Sequence, residues 1–149
     1  MLQIKHVSKT FNKGTVNEKQ ALRDLNLTLK EGDFVTIIGG NGAGKSTMLN
    51  AIAGVWPVDE GQIIIDDKDV TKLPEYKRAA FLGRVFQDPM NGTAATMQID
   101  ENLAMAYRRG KRRNLRWGIK KEEKEKYYEM LKQFDLGLED RMTSKVGLL

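Results

Sequence analysis

The 149-residue sequence contains no cysteine, one histidine and three prolines. The absence of cysteine excludes disulfides, cysteine-ligated zinc and thiol catalysis. No apolar run approaches the roughly 18 residues that are needed to cross a bilayer, and the N-terminal stretch MLQIKHVSKT lacks the apolar core of a signal peptide. We therefore expect a cytoplasmic protein, and we expect any association with a membrane to depend on a partner.

The excess positive charge of the sequence is concentrated in one segment. Residues 108–121, which begin with Arg108 and end with Lys121, contain eight Lys or Arg and no acidic residue. Removing these eight charges from the net charge of +5 leaves −3 for the rest of the chain. A mildly acidic body with one basic segment weakens a general nucleic-acid interpretation.

Three interpretations of this basic segment stay open. It is a solvated loop, or it is attracted to anionic lipid headgroups at about 1 kcal/mol for each basic residue. The third interpretation is nucleic-acid binding, with Trp117 stacked on a base. We rank nucleic acid last, because the segment is short and isolated.

Hydrophobic patterning predicts several strands. Alternating apolar residues predict half-buried strands at residues 2–4 and 25–29. The nearly continuous apolar run FVTII at residues 34–38 predicts a strand that is buried on both faces of a parallel sheet. Further strands are predicted at residues 61–65, before a turn at Asp66 and Asp67, and at residues 84–87.

Three helices are predicted. The first covers residues 45–53 and is closed by Gly54. The second covers residues 101–107, with Asp100 as its cap. The third covers residues 121–136, places Tyr127, Leu131 and Phe134 on one apolar face, and ends at Gly137.

The stretch IGGNGAGKST, residues 38–47, matches the phosphate-loop pattern Gly-x4-Gly-Lys-Ser between a predicted strand and a predicted helix. Its glycines allow backbone N–H groups to converge on phosphate oxygens, and the helix N-terminus adds partial positive charge. We expect Lys45 to reach the β- and γ-phosphates, Ser46 to ligate Mg²⁺, and Thr47 to assist at the α-phosphate. The predicted nucleotide-binding residues of this loop are Gly39, Gly40, Asn41, Gly42, Ala43, Gly44, Lys45, Ser46 and Thr47.

Several further motifs occur in a fixed order along the chain: VSKTF at 7–11, ALRDLNL at 21–27, NGAGKST at 41–47, GVWPVDEGQI at 54–63, VFQDP at 85–89 and QIDENL at 98–103. Together they resemble the ATPase subunits of ABC transporters over the whole chain. This resemblance implies an α/β fold, namely an incomplete P-loop NTPase core with an antiparallel β subdomain and a helical subdomain. It divides the chain into a nucleotide-binding part, residues 1–97, and a truncated helical subdomain, residues 98–149.

The resemblance also implies roles for single residues and two cofactors, ATP and Mg²⁺. Phe11 is expected to stack on adenine. Gln87 is expected to contact Mg²⁺ and the attacking water, so that Lys45 and Gln87 are the catalytic candidates and Ser46 and Gln87 the metal candidates. Asp67 stands where the family commonly has glycine, and Asp tolerates the left-handed backbone that such a turn requires. Trp56 and Trp117 are expected to pack rather than to contact ligand.

Motifs that the family uses for hydrolysis are not found in these 149 residues. They include no Leu-Ser-Gly-Gly-Gln signature, no Walker B strand and no late switch histidine. Because phosphoryl transfer depends on positioning and charge stabilisation, we expect ATP binding without efficient turnover. We also expect residues 34–38 to have an open edge and exposed apolar faces, because their neighbouring strand is missing. We expect the sequence to be a cloned segment, a degradation product or an interrupted reading frame.

The leading hypothesis is the nucleotide-binding subunit of an ABC importer, which powers solute transport through a separate transmembrane permease subunit. The resemblance implies a head-to-tail homodimer in the intact parent, located peripherally at the inner face of the cell membrane. Other subunits would select the solute, although YRRGKRRNLRWG resembles a bacterial subgroup with amino-acid-like solutes. The alternatives are a soluble ABC-type ATPase that acts on nucleic acid or the ribosome, and an ATP-binding fragment without hydrolysis.

Overall fold

The computed structural model describes residues 1–111 and 118–149. It has two compact units, Met1–Gly83 and Arg84–Leu149. The first unit combines an antiparallel sheet with helices and the second is helical, which places the chain in the α/β class. The division into nucleotide-binding and helical subdomains at residues 97 and 98 stays a prediction.

The first unit contains a four-stranded sheet. Its strands are β1 (Leu2–Phe11), β2 (Lys19–Leu29), β3 (Glu60–Ile65) and β4 (Lys68–Asp69). Their order is β2-β1-β3-β4 and every neighbouring pair is antiparallel. In the centre of the sheet Ile4 lies between Leu27 of β2 and Ile63 of β3. The strands predicted at residues 2–4, 25–29 and 61–65 are therefore confirmed.

The turn between β3 and β4 has two aspartates in the left-handed region. Asp66 has a φ of 47° and Asp67 a φ of 61°. Two successive positive φ angles suit a two-residue hairpin between twisted strands. The predicted turn is confirmed, and Asp67 adopts the left-handed backbone that was expected of it.

One helix of the first unit packs on the sheet. Helix α1 (Lys45–Ala53) contributes Met48 and Ala51 to the core. It ends as predicted at Gly54, which has a φ of 84° and donates its N–H to the Ala51 carbonyl. The buried core comprises Ile4, Val7, Leu22, Met48, Ala51, Ile63, Ile65 and Val70.

The predicted strands at residues 34–38 and 84–87 are wrong. Both segments are irregular, and Phe34 and Ile38 are 94% and 91% exposed. A strand requires a neighbour for its backbone N–H and C=O groups, and within residues 1–111 and 118–149 no strand pairs with either segment. An apolar run indicates that a segment favours burial, but a strand also requires a neighbouring strand for its backbone hydrogen bonds.

An arginine is buried at the C-terminal end of α1. Arg78, the last residue of the short helix α2 (Glu75–Arg78), is only 2% exposed. Its guanidinium donates to the carbonyls of Ala51 at 2.7 Å, Ile52 at 2.9 Å, Thr71 at 2.9 Å and Leu73 at 2.8 Å. Burial lowers the pKa of Arg78. The arginine satisfies carbonyls that a helix end leaves free and places a positive charge at the negative end of the α1 dipole.

The second unit contains helix α3 (Ile99–Tyr107) and helix α4 (Lys121–Lys132). Helix α3 begins at Ile99, two residues earlier than predicted, because Gln98 is its cap and the Gln98 N–H donates to the Glu101 carboxylate at 2.8 Å. Asp100 is not the cap. It is buried in the first turn, 3.2 Å from the ammonium of Lys124.

Helix α4 is shorter than predicted. It ends at Lys132 rather than at residue 136, and Asp135 follows with a φ of 52°, which no α-helix contains. Tyr127 and Leu131 are buried as expected, whereas Phe134 lies beyond the helix and is 66% exposed. Phe134 is therefore not part of the apolar face.

Candidate nucleotide-binding site

The glycine loop takes a shape that requires glycine at two positions. Gly42 and Gly44 have φ angles of 82° and 86°. A Cβ at Gly44 would lie 2.5 Å from the backbone oxygen of Ala21 on β2, which is a steric clash. The loop therefore packs directly on the sheet, and the sheet fixes where α1 begins.

Free backbone donors follow the loop. The first helical hydrogen bond of α1 runs from the Met48 N–H to the Gly44 carbonyl at 2.8 Å. The N–H groups of Lys45, Ser46 and Thr47 consequently have no acceptor within the helix. Together with the helix dipole they form the type of anion site that phosphate groups occupy.

The Lys45 side chain folds back over the loop. Its ammonium donates to the carbonyl of Gly40 at 2.8 Å and to the carbonyl of Gly39. These acceptors are neutral, so they orient the ammonium and leave its full charge available to an anion. The loop thus carries one positive side chain beside the free N–H groups of α1.

The hydroxyl groups of Ser46 and Thr47 lie in the first turn of α1, where Ser46 is exposed and Thr47 half-buried. In the described part of the chain, no three His, Cys, Asp or Glu residues cluster as a metal site would require. Mg²⁺ at phosphate sites uses few protein ligands and several phosphate and water oxygens. A single serine hydroxyl at this position is compatible with that preference.

Phe11 lies in the same unit as the loop. It is the last residue of β1 and pairs with Lys19 of β2. The ammonium of Lys19 lies 3.4 Å from the position that a Cβ would take at Gly42. The structure therefore brings the end of the β1–β2 hairpin to the glycine loop. Nothing in the sequence singles out Lys19, because it looks like any exposed strand lysine.

Phe11 contacts a second aromatic residue. The rings of Phe11 and Trp56 meet edge-on, with centroids 4.9 Å apart and planes at 80°. The ammonium of Lys9 lies over the Phe11 ring, 5.6 Å from its centroid. Residues 11 and 56 are far apart in the sequence, which carries no signal for this pairing.

Gln87 belongs to the second unit, whereas the glycine loop and Phe11 belong to the first. Gln87 is exposed and precedes Asp88, whose carboxylate accepts from the Met90 N–H at 3.0 Å and starts the 3₁₀ turn Pro89–Gly92. The role of Gln87 in binding Mg²⁺ and water stays a prediction.

The basic segment is described only in part, because residues 112–117 lie outside the described residues, as does the expectation for Trp117. Arg108 forms an ion pair with Glu123 at 2.7 Å, and this carboxylate raises the pKa of Arg108. Lys126 and Lys111 lie against the Tyr107 ring and lower the pKa of its phenol.

In the ranges 1–111 and 118–149, every helix is too short or too polar to cross a membrane.

A model of the ABC transporter family matches residues 22–148. A tyrosine transport ATP-binding protein from Clostridioides difficile is 45% identical over 116 residues, 78% of this chain and 46% of the relative. A phosphonates import ATP-binding protein from Lactobacillus johnsonii is 42% identical over 92 residues, 58% of this chain and 34% of the relative.

The fold agrees with solved structures. A dimeric ATP-binding cassette in a post-hydrolysis state, bound to ADP and Pi, superposes with a TM-score of 0.79 at 30% sequence identity. The match covers 100% of this chain and 63% of the cassette. The chain thus spans less than two thirds of the proteins it matches. The family and the P-loop NTPase fold expected from the sequence motifs are confirmed: the chain belongs to the ABC transporter family.

Proposed function

We propose that this chain is the ATP-binding part of an ABC transporter ATPase subunit. One observation carries the proposal: the glycine loop of a family member leads into α1, whose first turn has free N–H groups, and the Lys45 ammonium folds back over the same loop. Such a site binds the phosphates of a nucleotide through backbone donors, and its lysine charge strengthens the interaction.

Each predicted residue has a task in this proposal. The N–H groups of residues 39–47 bind phosphate oxygens, Lys45 moves from the loop carbonyls to the β- and γ-phosphates, and Thr47 assists at the α-phosphate. Phe11 stacks on adenine through its ring face, which gives affinity without reading the hydrogen-bonding edge of the base. Lys19 adds a second ammonium beside the loop.

The residues also fit Mg²⁺. Ser46 would hold the ion, and Gln87 would complete its environment in the intact cassette. When bound, Mg²⁺ neutralises charge that develops on the phosphates. The residues of this chain hold and orient the triphosphate. Without the rest of the cassette, they bind ATP without efficient turnover.

The intact parent is proposed to hydrolyse ATP as a head-to-tail homodimer and to power solute movement through a separate transmembrane permease subunit. Its place would be cytoplasmic, peripheral at the inner face of the cell membrane. The relatives' names, which concern tyrosine transport and phosphonates import, support transport as the use of the energy. The tyrosine relative favours an amino-acid-like solute, selected by the permease and its partners.

The basic residues are proposed to face anionic headgroups. Lys111 in the described part of the basic segment, together with Lys126 on α4, places two ammonium groups at Tyr107. The pairing of Arg108 with Glu123 removes one charge from this surface. A soluble ABC-type ATPase that acts on nucleic acid or the ribosome is not favoured, because the relatives are transport and import proteins.

The test is titration calorimetry of Mg-ATP against this chain. We expect micromolar binding, which corresponds to about −8 kcal/mol. Lys45→Ala is expected to weaken binding about tenfold to 100-fold, because a hydrogen bond to a charged group contributes about 1.5–3 kcal/mol.

The matched control is Lys72→Ala, which removes an exposed lysine outside the loop and is expected to leave the affinity unchanged. Equal affinity of the native chain and Lys45→Ala would contradict the proposal, and so would the absence of binding by the native chain.

A further inference from the structure

We propose that Trp56 is a positioning residue for the nucleotide base, because it holds the ring of Phe11 in a fixed orientation at the end of β1. This inference rests on the proposed function, in which Phe11 receives adenine. It adds a residue that the sequence motifs do not single out.

The first observation is the contact itself. Phe11 and Trp56 form an edge-on aromatic pair with centroids 4.9 Å apart, within the range in which such pairs are favourable. Both side chains are half-buried, so each ring keeps part of its surface accessible to solvent. A ring that one neighbour holds in place loses less rotational freedom when a base stacks on it.

The second observation is that the backbone around Trp56 is tied to β1. The carboxylate of Asp59 accepts from the Thr10 N–H at 2.6 Å and from the Lys9 ammonium at 2.9 Å, and the Asp59 N–H donates to the Ser8 carbonyl at 3.0 Å. These donors lower the pKa of Asp59, so the carboxylate is ionised at neutral pH. Asp59 thus anchors the Trp56 loop to the strand that ends at Phe11.

The third observation concerns the other end of the same loop. The N–H of Gly54 donates to the Ala51 carbonyl at 3.2 Å, and the N–H of Val55 donates to the Asn50 carbonyl at 3.0 Å. Trp56 therefore follows directly on the closed end of α1, the helix whose other end carries the phosphate site. One short loop thus leads from the phosphate-binding helix to Trp56, which contacts the base-stacking residue Phe11.

The experiment compares two ligands, Mg-ATP and Mg-tripolyphosphate, which share the phosphates but differ in the base. Trp56→Ala is expected to weaken ATP about twofold to tenfold, the range that an aromatic pair energy corresponds to, and to leave tripolyphosphate unchanged. Trp56→Phe, which keeps an aromatic ring, is expected to restore most of the ATP affinity. Unchanged tripolyphosphate binding also shows that the variant is folded.

A second variant leaves both rings in place. Asp59→Asn removes the charge that anchors the loop and is expected to weaken ATP by a smaller factor, again without an effect on tripolyphosphate. Equal losses for both ligands in both variants, or no loss of ATP affinity in Trp56→Ala, would overturn the role of Trp56. Failure of the native chain to bind either ligand would overturn the proposed function as well.

A fluorescence measurement avoids perturbing Trp56. The sequence has two tryptophans, so Trp117→Phe leaves Trp56 as the single reporter. ATP is expected to change the Trp56 emission, whereas tripolyphosphate is expected to leave it unchanged. Identical responses to the two ligands would contradict the role of Trp56 as a positioning residue for the base.

Discussion

Two stretches of the first unit are similarly apolar in sequence and differ in structure. In the β3 segment with the sequence III, residues 63–65, Ile63 and Ile65 lie in the core, and Ile63 is 0% exposed. The stretch FVTII at residues 34–38 is irregular, and Phe34 is 94% exposed. The difference lies in pairing, because β3 has β1 and β4 beside it, whereas residues 34–38 have no neighbouring strand in the described part of the chain.

The antiparallel sheet and α1 are the part of the fold that the described residues determine by themselves. Antiparallel neighbours bring apolar faces together, as where Ile4 of β1 lies beside Ile63 of β3, and α1 covers one face. Burial then follows from pairing that is present within the chain. A strand intended for the middle of a parallel sheet depends on neighbours on both sides.

The largest expected effect comes from removing a core side chain of the paired region. Ile63→Ala is expected to lower the free energy of unfolding by about 2–5 kcal/mol, because it deletes buried methyl groups and leaves a cavity. The matched substitution in the unpaired stretch, Phe34→Ala, is expected to change it by less than about 0.5 kcal/mol. Urea unfolding followed by circular dichroism measures both. A Phe34→Ala cost as large as that of Ile63→Ala would contradict this difference between the two stretches, since it would mean that the Phe34 side chain is buried when the protein is in solution.

A smaller effect is expected from the arginine that joins α1 to residues 71–78. Arg78→Met is expected to cost about 1–3 kcal/mol, because it removes the guanidinium donors from the carbonyls of Ala51 and Ile52 at the end of α1. Arg78→Lys keeps the charge but not the planar fork, so its cost is expected to be intermediate. Thermal unfolding of the three proteins in parallel gives the order. A cost near zero for Arg78→Met would mean that water satisfies these carbonyls.

Local signals made much of the first unit predictable. Gly44 and Gly54 bound α1, alternation identifies β1 and β2, and two aspartates form the turn after β3. The phosphate loop followed from its glycine spacing and from the helix behind it. These features depend on residues that are close in the sequence, where propensity and geometry act directly.

Features that depend on distant residues could not be predicted. The contact of Phe11 with Trp56 joins residues of different elements, and neither ring has a pattern that names the other. Arg78 looks like a surface residue, since arginine is almost never buried unless it is paired. The sequence predicts Asp100 as the cap of α3 because aspartate is a common cap, whereas in the structure Asp100 is buried beside Lys124.

Amide hydrogen exchange of the native chain, with and without Mg-ATP, is the most direct test of whether the first unit is a folded ATP-binding site. We expect slow exchange in β1, β3 and α1, fast exchange at residues 34–38 without nucleotide, and new protection of the N–H groups of residues 39–47 when ATP is added. Fast exchange throughout β1 and α1, or an unchanged loop at saturating ATP, would contradict the claim that this unit is a folded ATP-binding site.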